Sequence, residues 1–72
     1  MTPQETANDI YRQIYISLPD NMINSDKHIV AVKNSLMKCN NLLVIYSKDK
    51  DSENYKHYKE VFKIISNLHS FK

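Results

Sequence analysis

The fold is decided by residues 29–46, which read IVAVKNSLMKCNNLLVIY. Apolar side chains recur there at steps of 3, 4, 3, 4 and 3 residues, which is the heptad spacing of a packed helix. They are Ile29, Val32, Leu36, Cys39, Leu43 and Tyr46. Val30, Met37 and Val44 run beside them at intervals of seven, so the wide apolar stripe predicts a helix packed against two partners. Residues 42–46 could also form a strand, but no second strand is available to pair with it.

Two further helices flank this one. Residues 2–5 read TPQE, in which Thr2 as N-cap, Pro3 at the first helical position and Glu5 at the third predict a capping box. Pro19 ends that helix, because proline disfavours the α conformation of the residue before it. Ser25 or Asp26 is the expected cap of the second helix, and Ser52 with Glu53 begins the third. The third helix carries a face at heptad spacing made of Tyr55, Tyr58, Phe62, Ile65 and His69.

These patterns predict an all-α fold in one domain, residues 1–72. We expect helices over about 3–18, 26–46 and 53–69, arranged as a small three-helix bundle. The second and third helices form an antiparallel hairpin, and the first packs across it. The connector 47–52 (SKDKDS) has acidic spacing reminiscent of a calcium loop, but it lacks the required glycine and the closing glutamate. It is expected to be a solvated loop.

Composition excludes several kinds of catalytic site. With no glycine in 72 residues there can be no glycine-rich phosphate loop, dinucleotide fingerprint or nucleophile elbow. One cysteine cannot form an internal disulfide, and no two of the three histidines stand three or four residues apart as metal ligands on one helix face. Cys39 lies within the apolar spacing, so we expect it to pack in the core. The sequence predicts a non-enzymatic protein without metal or cofactor.

Size predicts self-association. A chain this short buries only about 60% of the surface that its unfolded form exposes. A single core of this size supplies about 3–5 kcal/mol of net stability. Because neither a disulfide nor a metal site is visible to add to it, we expect a homo-oligomer. Apolar residues left over from the hairpin would meet across its symmetry axis.

The charge balance and the N-terminal sequence limit which partners and which cellular compartment we expect. Ten Lys and Arg against eight Asp and Glu give a net charge of +2, and Arg12 is the one arginine. That is less basic than expected of a dedicated DNA-binding domain, and arginine is the preferred reader of guanine edges. The N-terminus lacks the basic and apolar regions of a signal peptide, and no apolar run could span a membrane. With its lone thiol, the chain is expected in a reducing cytoplasm.

Tyrosine and lysine supply the candidate binding residues. Five Tyr against two Phe is a high share of a side chain that suits pocket rims and stacks on nucleobases. Lysines also form basic patches on the second and third helices, although Glu53 and Glu60 interrupt the latter. The plainer interpretation is tyrosine at the core margin and a solvated lysine face. The candidate ligand or partner residues are Tyr11, Arg12, Tyr55, Lys56, His57, Lys59 and Lys63.

The layout also resembles a group of short proteins encoded by phages and mobile elements of Bacteroidetes-type bacteria. The opening residues 1–7 (MTPQETA) match that group, as do Lys27 and residues 31–32 (AV) in the middle. The closing match comprises Tyr58, Glu60, Val61, Ile65 and Leu68. The resemblance implies a small accessory protein of a phage, acting in the cytoplasm of the host cell.

The resulting hypothesis is a phage-encoded binding protein that inhibits a host defence system. It would do so by binding a host protein or by sequestering a nucleotide signal such as a cyclic nucleotide. The alternative is a small nucleic-acid-binding regulator, which the net charge of +2 disfavours.

Overall fold

A computed structural model describes residues 1–70 of the chain, and the side chains of residues 1–68. It contains three helices, α1 (Pro3–Ser17), α2 (Asn24–Tyr46) and α3 (Glu53–Ser70), and every pair of them is in contact. Residues 1–70 contain no strand. The predicted all-α three-helix bundle is therefore confirmed. His69, which closes the predicted spacing on α3, has its side chain outside the described residues.

The start and end of α1 follow from local chemistry. The Thr2 hydroxyl accepts from the Glu5 backbone N–H at 3.2 Å, and the Glu5 carboxylate accepts from the Thr2 N–H at 3.1 Å. This is the predicted capping box, and the bonds from the Thr2 backbone and side chain lower the pKa of Glu5. Leu18 is extended (φ −78°, ψ 155°) before Pro19, so α1 ends at Ser17, one residue earlier than predicted.

The predicted cap of α2 is wrong. The helix begins two residues earlier than predicted, at Asn24, and its N-cap is Ile23, which provides no side-chain hydrogen bond. In a backbone turn over residues 19–22, the Met22 N–H donates to the Pro19 carbonyl at 3.2 Å, just before the chain enters α2. Ser25 and Asp26 consequently lie inside the first turn, where the Asp26 carboxylate is favoured by the positive end of the helix dipole.

The second connector and the start of α3 agree with the sequence. The Ser52 hydroxyl accepts from the Tyr55 N–H at 3.2 Å, so Ser52 caps α3. Residues 47–51 are exposed, and the Asp49 carboxylate accepts from the Asp51 N–H at 3.1 Å. That carboxylate therefore stabilises a turn of the connector.

The core is built from small and β-branched side chains. Its buried apolar members are Ala7, Ile10, Ala31, Val32, Cys39, Val61 and Ile65. The prediction that Cys39 packs in the core is confirmed, and burial raises the pKa of its thiol. Ser35 is also fully buried, and its hydroxyl donates to the Ala31 carbonyl at 2.6 Å. No buried side-chain polar atom of the described residues lacks a hydrogen-bond partner.

The direction of the helices follows from two contacts of α1. Thr6, near the start of α1, meets His57 near the start of α3, so these two helices begin at the same end of the bundle. Tyr11 meets His28, which lies near the start of α2, further along α1. Helix α2 therefore runs opposite to the other two, and the predicted antiparallel hairpin with α1 packed against it is present.

Part of the wide apolar stripe of α2 is left uncovered. The prediction that α2 packs against two partners is confirmed, because it contacts both α1 and α3. Val30 is half-buried, but Met37 and Val44 remain 62% and 64% exposed. They are the side chains left over from the hairpin. Self-association of the chain stays a prediction.

Conservative truncation of the core should reveal its contribution to stability. Ile65→Val removes one methylene at a fully buried site and should lower the free energy of unfolding by about 0.5–1.5 kcal/mol, measured by urea denaturation. Ile16→Val is the matched control, since Ile16 is 71% exposed and its change should be close to zero. Equal effects of the two substitutions would contradict the assignment of the core.

Candidate functional site

An open depression lies between α1 and the beginning of α2. Its volume is about 360 Å³, and it is lined by Tyr11, Arg12, Tyr15 and His28. Small-molecule sites span about 300–1,000 Å³, and this volume is near the lower end of that range. We call this feature the α1–α2 depression.

A hydrogen bond fixes the floor of the α1–α2 depression. The Tyr11 hydroxyl and His28 Nδ1 are 2.7 Å apart, and their rings meet edge-on with centroids separated by 5.6 Å. Partial burial raises the pKa of Tyr11, with a smaller contribution from neighbouring Tyr15. The hydroxyl thus stays neutral at physiological pH, and His28 Nδ1 is engaged with it.

The walls combine aromatic rings with cations. Tyr15 lies beside Tyr11, with ring centroids 5.7 Å apart and an interplanar angle of 34°. The Lys27 ammonium lies 5.5 Å from the Tyr15 centroid, within range of a cation–π interaction. Arg12 is exposed at the rim, so its guanidinium is open to solvent. Two tyrosine rings and two basic side chains are therefore gathered in one place.

This arrangement is suited to binding a planar anion. An aromatic ring of a ligand can stack on a tyrosine face, and phosphate oxygens can accept charge-assisted hydrogen bonds from Arg12 and Lys27. Asp9 and Asp26, one turn before Arg12 and next to Lys27, are both exposed to solvent. The depression offers recognition groups, while His28, its one side chain of the general-base type, is bonded to Tyr11.

The structure divides the candidate residues of the sequence between two places. Tyr11 and Arg12 lie together in the α1–α2 depression, and the other five are on α3. Lys56, Lys59 and Lys63 are exposed. At about 100° per residue they project opposite the buried face of α3. They therefore form an outer basic face of the bundle. Tyr55 is half-buried, and its N–H donates to Ser52.

His57 belongs to the contact between α1 and α3. Its Nε2 lies 2.8 Å from the hydroxyl of buried Thr6, and its ring meets Tyr58 edge-on at 5.2 Å. His57 also lines a second depression, at the end of the bundle where α1 and α3 begin. The two depressions share no lining residue. The candidate residues Tyr11 and Arg12 therefore lie on a different surface from His57.

Three residues in or beside the α1–α2 depression are missing from the sequence-based candidates. They are Tyr15, Lys27 and His28. A sequence signal does exist for them. Tyr15 follows Tyr11 by four residues, and a short connector folds α2 back along α1 so that its first turns reach this face.

Comparisons of the chain with models of protein families, with curated proteins and with solved structures find no match. Within the part of the chain that the structure describes, no three or more His, Cys, Asp and Glu side chains group as a potential metal site. Among the same residues, none of the helices has the length and apolar character needed to cross a bilayer. The assignment of a function therefore depends on the chemistry of the surfaces described above.

The environment of Tyr11 predicts its titration. Because burial raises its pKa in the folded protein, Tyr11 should ionise at higher pH than an unperturbed tyrosine. Ultraviolet absorbance of tyrosinate should show this ionisation as a late component of the titration. Tyr11 therefore makes its full contribution to the free energy of unfolding below the pKa that it has in the unfolded chain. That contribution is lost as pH rises through its pKa in the folded protein. Tyr11→Phe should remove the late component and reduce this alkaline loss of stability. In the urea-unfolded chain the late component should disappear, and its persistence there would contradict the assignment.

Proposed function

We propose that the protein is a phage-encoded, non-enzymatic binding protein that inhibits a host defence system by sequestering a nucleotide signal. The observation that carries this proposal is the grouping of Tyr11, Tyr15, Arg12 and Lys27 around the α1–α2 depression. The resemblance of residues 1–7 and of the later motifs to phage proteins supports the setting, the cytoplasm of an infected cell. The action would be stoichiometric capture.

The ligand class follows from the chemistry of this site. Nucleotides combine a flat aromatic base with phosphate charges, and the depression presents tyrosine rings beside two cations. Tyr15 is the better stacking platform, because Tyr11 is held edge-on to His28 by its hydrogen bond. In the free protein Lys27 lies over the Tyr15 ring. An incoming base would take that face, and the Lys27 ammonium would move to the phosphate.

A second candidate function is binding of a host protein. The observation in its favour is the uncovered apolar surface of α2, where Met37, Val44 and Ile45 are each more than half exposed. Apolar side chains aligned along one helix are typical of a protein-binding surface. The two functions use different parts of α2, so one does not exclude the other.

A nucleotide panel tests the first function. Isothermal titration with linear and cyclic mono- and dinucleotides should find at least one ligand. Because a hydrogen bond to a charged group contributes about 1.5–3 kcal/mol, Lys27→Gln should weaken that ligand about ten- to hundredfold.

Lys63→Gln is the matched control for this experiment. It makes the same chemical change on the outer face of α3 and should leave the affinity unaltered. An equal loss for both variants would place the ligand on a diffuse basic surface. Absence of binding across the panel would rule out the nucleotide hypothesis.

A further inference from the structure

The outer face of α2 is a second heptad pattern that the bundle does not cover. Residues 30, 34, 37, 41 and 44 follow one another at steps of 4, 3, 4 and 3. They are Val30, Asn34, Met37, Asn41 and Val44, which we call the α2 outer face. All except half-buried Val30 are exposed. A shallow groove of about 350 Å³ lies along its middle, lined also by Lys38 and Leu42.

The charges beside the α2 outer face have one sign. Lys33 and Lys38 are exposed on its two sides, and Lys27 and Lys48 stand near its ends. From residue 27 to residue 48 the chain contains no Asp or Glu. The last acidic side chain before this stretch is Asp26, in the first turn of α2. The surface is therefore an apolar and amide stripe with positive margins.

This charge pattern selects against a second copy of the same surface. In a pair of copies aligned along residues 27–48, Lys33 and Lys38 of one copy face a stretch of α2 without Asp or Glu, and carboxylates occur only beyond its ends, at Asp26 and from Asp49 onward. Like charges at the flanking positions of paired helices are unfavourable, and opposite charges at those positions set partner choice. The sequence-based expectation that the leftover residues meet across a symmetry axis is thus not favoured by the electrostatics of this face.

We propose that the α2 outer face binds an amphipathic helix of another protein, with an apolar stripe flanked by Asp and Glu. Met37 and Val44 supply the apolar contacts, and the flexible Met37 side chain adapts to the shape of the incoming residue. Asn34 and Asn41 alternate with them and set the register through amide hydrogen bonds. Lys33 and Lys38 pair with the carboxylates. This inference deepens the second candidate function and rests on the protein being a binding protein.

Two synthetic helical peptides provide the test. Both carry leucine at heptad spacing, and they differ in having glutamate or lysine at the flanking positions. The glutamate peptide should bind the wild-type protein in isothermal titration, and the lysine peptide should not. Binding should weaken when NaCl rises from about 0.1 M to about 1 M, because the Debye length falls from about 10 Å to about 3 Å.

Matched variants locate the contact. The double substitution Met37→Ala and Val44→Ala should lower the affinity for the glutamate peptide by about tenfold or more, since buried apolar anchors dominate such interfaces. Ile16→Ala with Ile23→Ala is the control, because these side chains are equally exposed, at 71% and 69%, but lie elsewhere. The charge reversal Lys33→Glu with Lys38→Glu should transfer binding from the glutamate peptide to the lysine peptide.

These outcomes can be told apart from those of the nucleotide experiment, because that experiment measures how Lys27→Gln changes the affinity for a nucleotide. Failure of the glutamate peptide to bind, or equal binding of both peptides, would overturn the proposal while leaving nucleotide capture untouched. Sedimentation of the wild-type protein over a concentration series tests whether a second copy of the chain covers this face instead. Dimers that are lost in the Met37→Ala, Val44→Ala variant would show that a second copy covers this face, and would also overturn the proposal.

Discussion

The structure depends on a narrow core, because small or β-branched side chains fill it and, among residues 1–68, no aromatic ring is fully buried. Three helices that meet through Ala, Val, Ile and Cys leave their larger side chains at the margins of the contacts. Contacts of this marginal kind join every pair of helices. Tyr11 with His28 joins α1 to α2, Thr6 with His57 joins α1 to α3, and Tyr46 stacked on Tyr58 at 5.7 Å joins α2 to α3. Apart from buried Thr6, these side chains are only partly buried, so groups that complete the contacts between helices are also partly open to solvent.

Local rules explain most of what the sequence revealed about the fold. The heptad spacing of residues 29–46, the capping box at Thr2 and the hydroxyl of Ser52 each act within one or two turns, and all three appear as expected. The start of α2 was misplaced because Ser25 and Asp26 are good caps in isolation. A backbone turn beginning at Pro19 determines the entry instead, and Ile23 becomes the N-cap without any side-chain contribution. Side-chain preference was outweighed there by the path of the chain.

Only part of the candidate site could be predicted from the sequence, again because the path of the chain decides which residues meet. Tyr11 and Arg12 could be chosen for their chemistry, but their neighbours Lys27 and His28 arrive from another helix. Their approach depends on which side of α1 is covered by α2, and a single helical periodicity does not specify that. The lysines of α3 illustrate the opposite case. Their spacing alone places them opposite the buried Val61 and Ile65, so a helical projection would have separated them from Tyr11.

Helix α2 carries three roles on different parts of its surface. Val32 and Cys39 face the core, Lys27 and His28 at its beginning face the α1–α2 depression, and Met37 and Val44 face solvent. Because α1 and α3 both contact α2, its outer residues are presented on a helix that is already formed. Ordering of this kind lowers the entropic cost of association, because the exposed helix does not have to form on binding. Helix α2 thus contributes Val32 and Cys39 to the core and leaves Met37 and Val44 uncovered, and the proposed protein binding depends on that uncovered apolar surface.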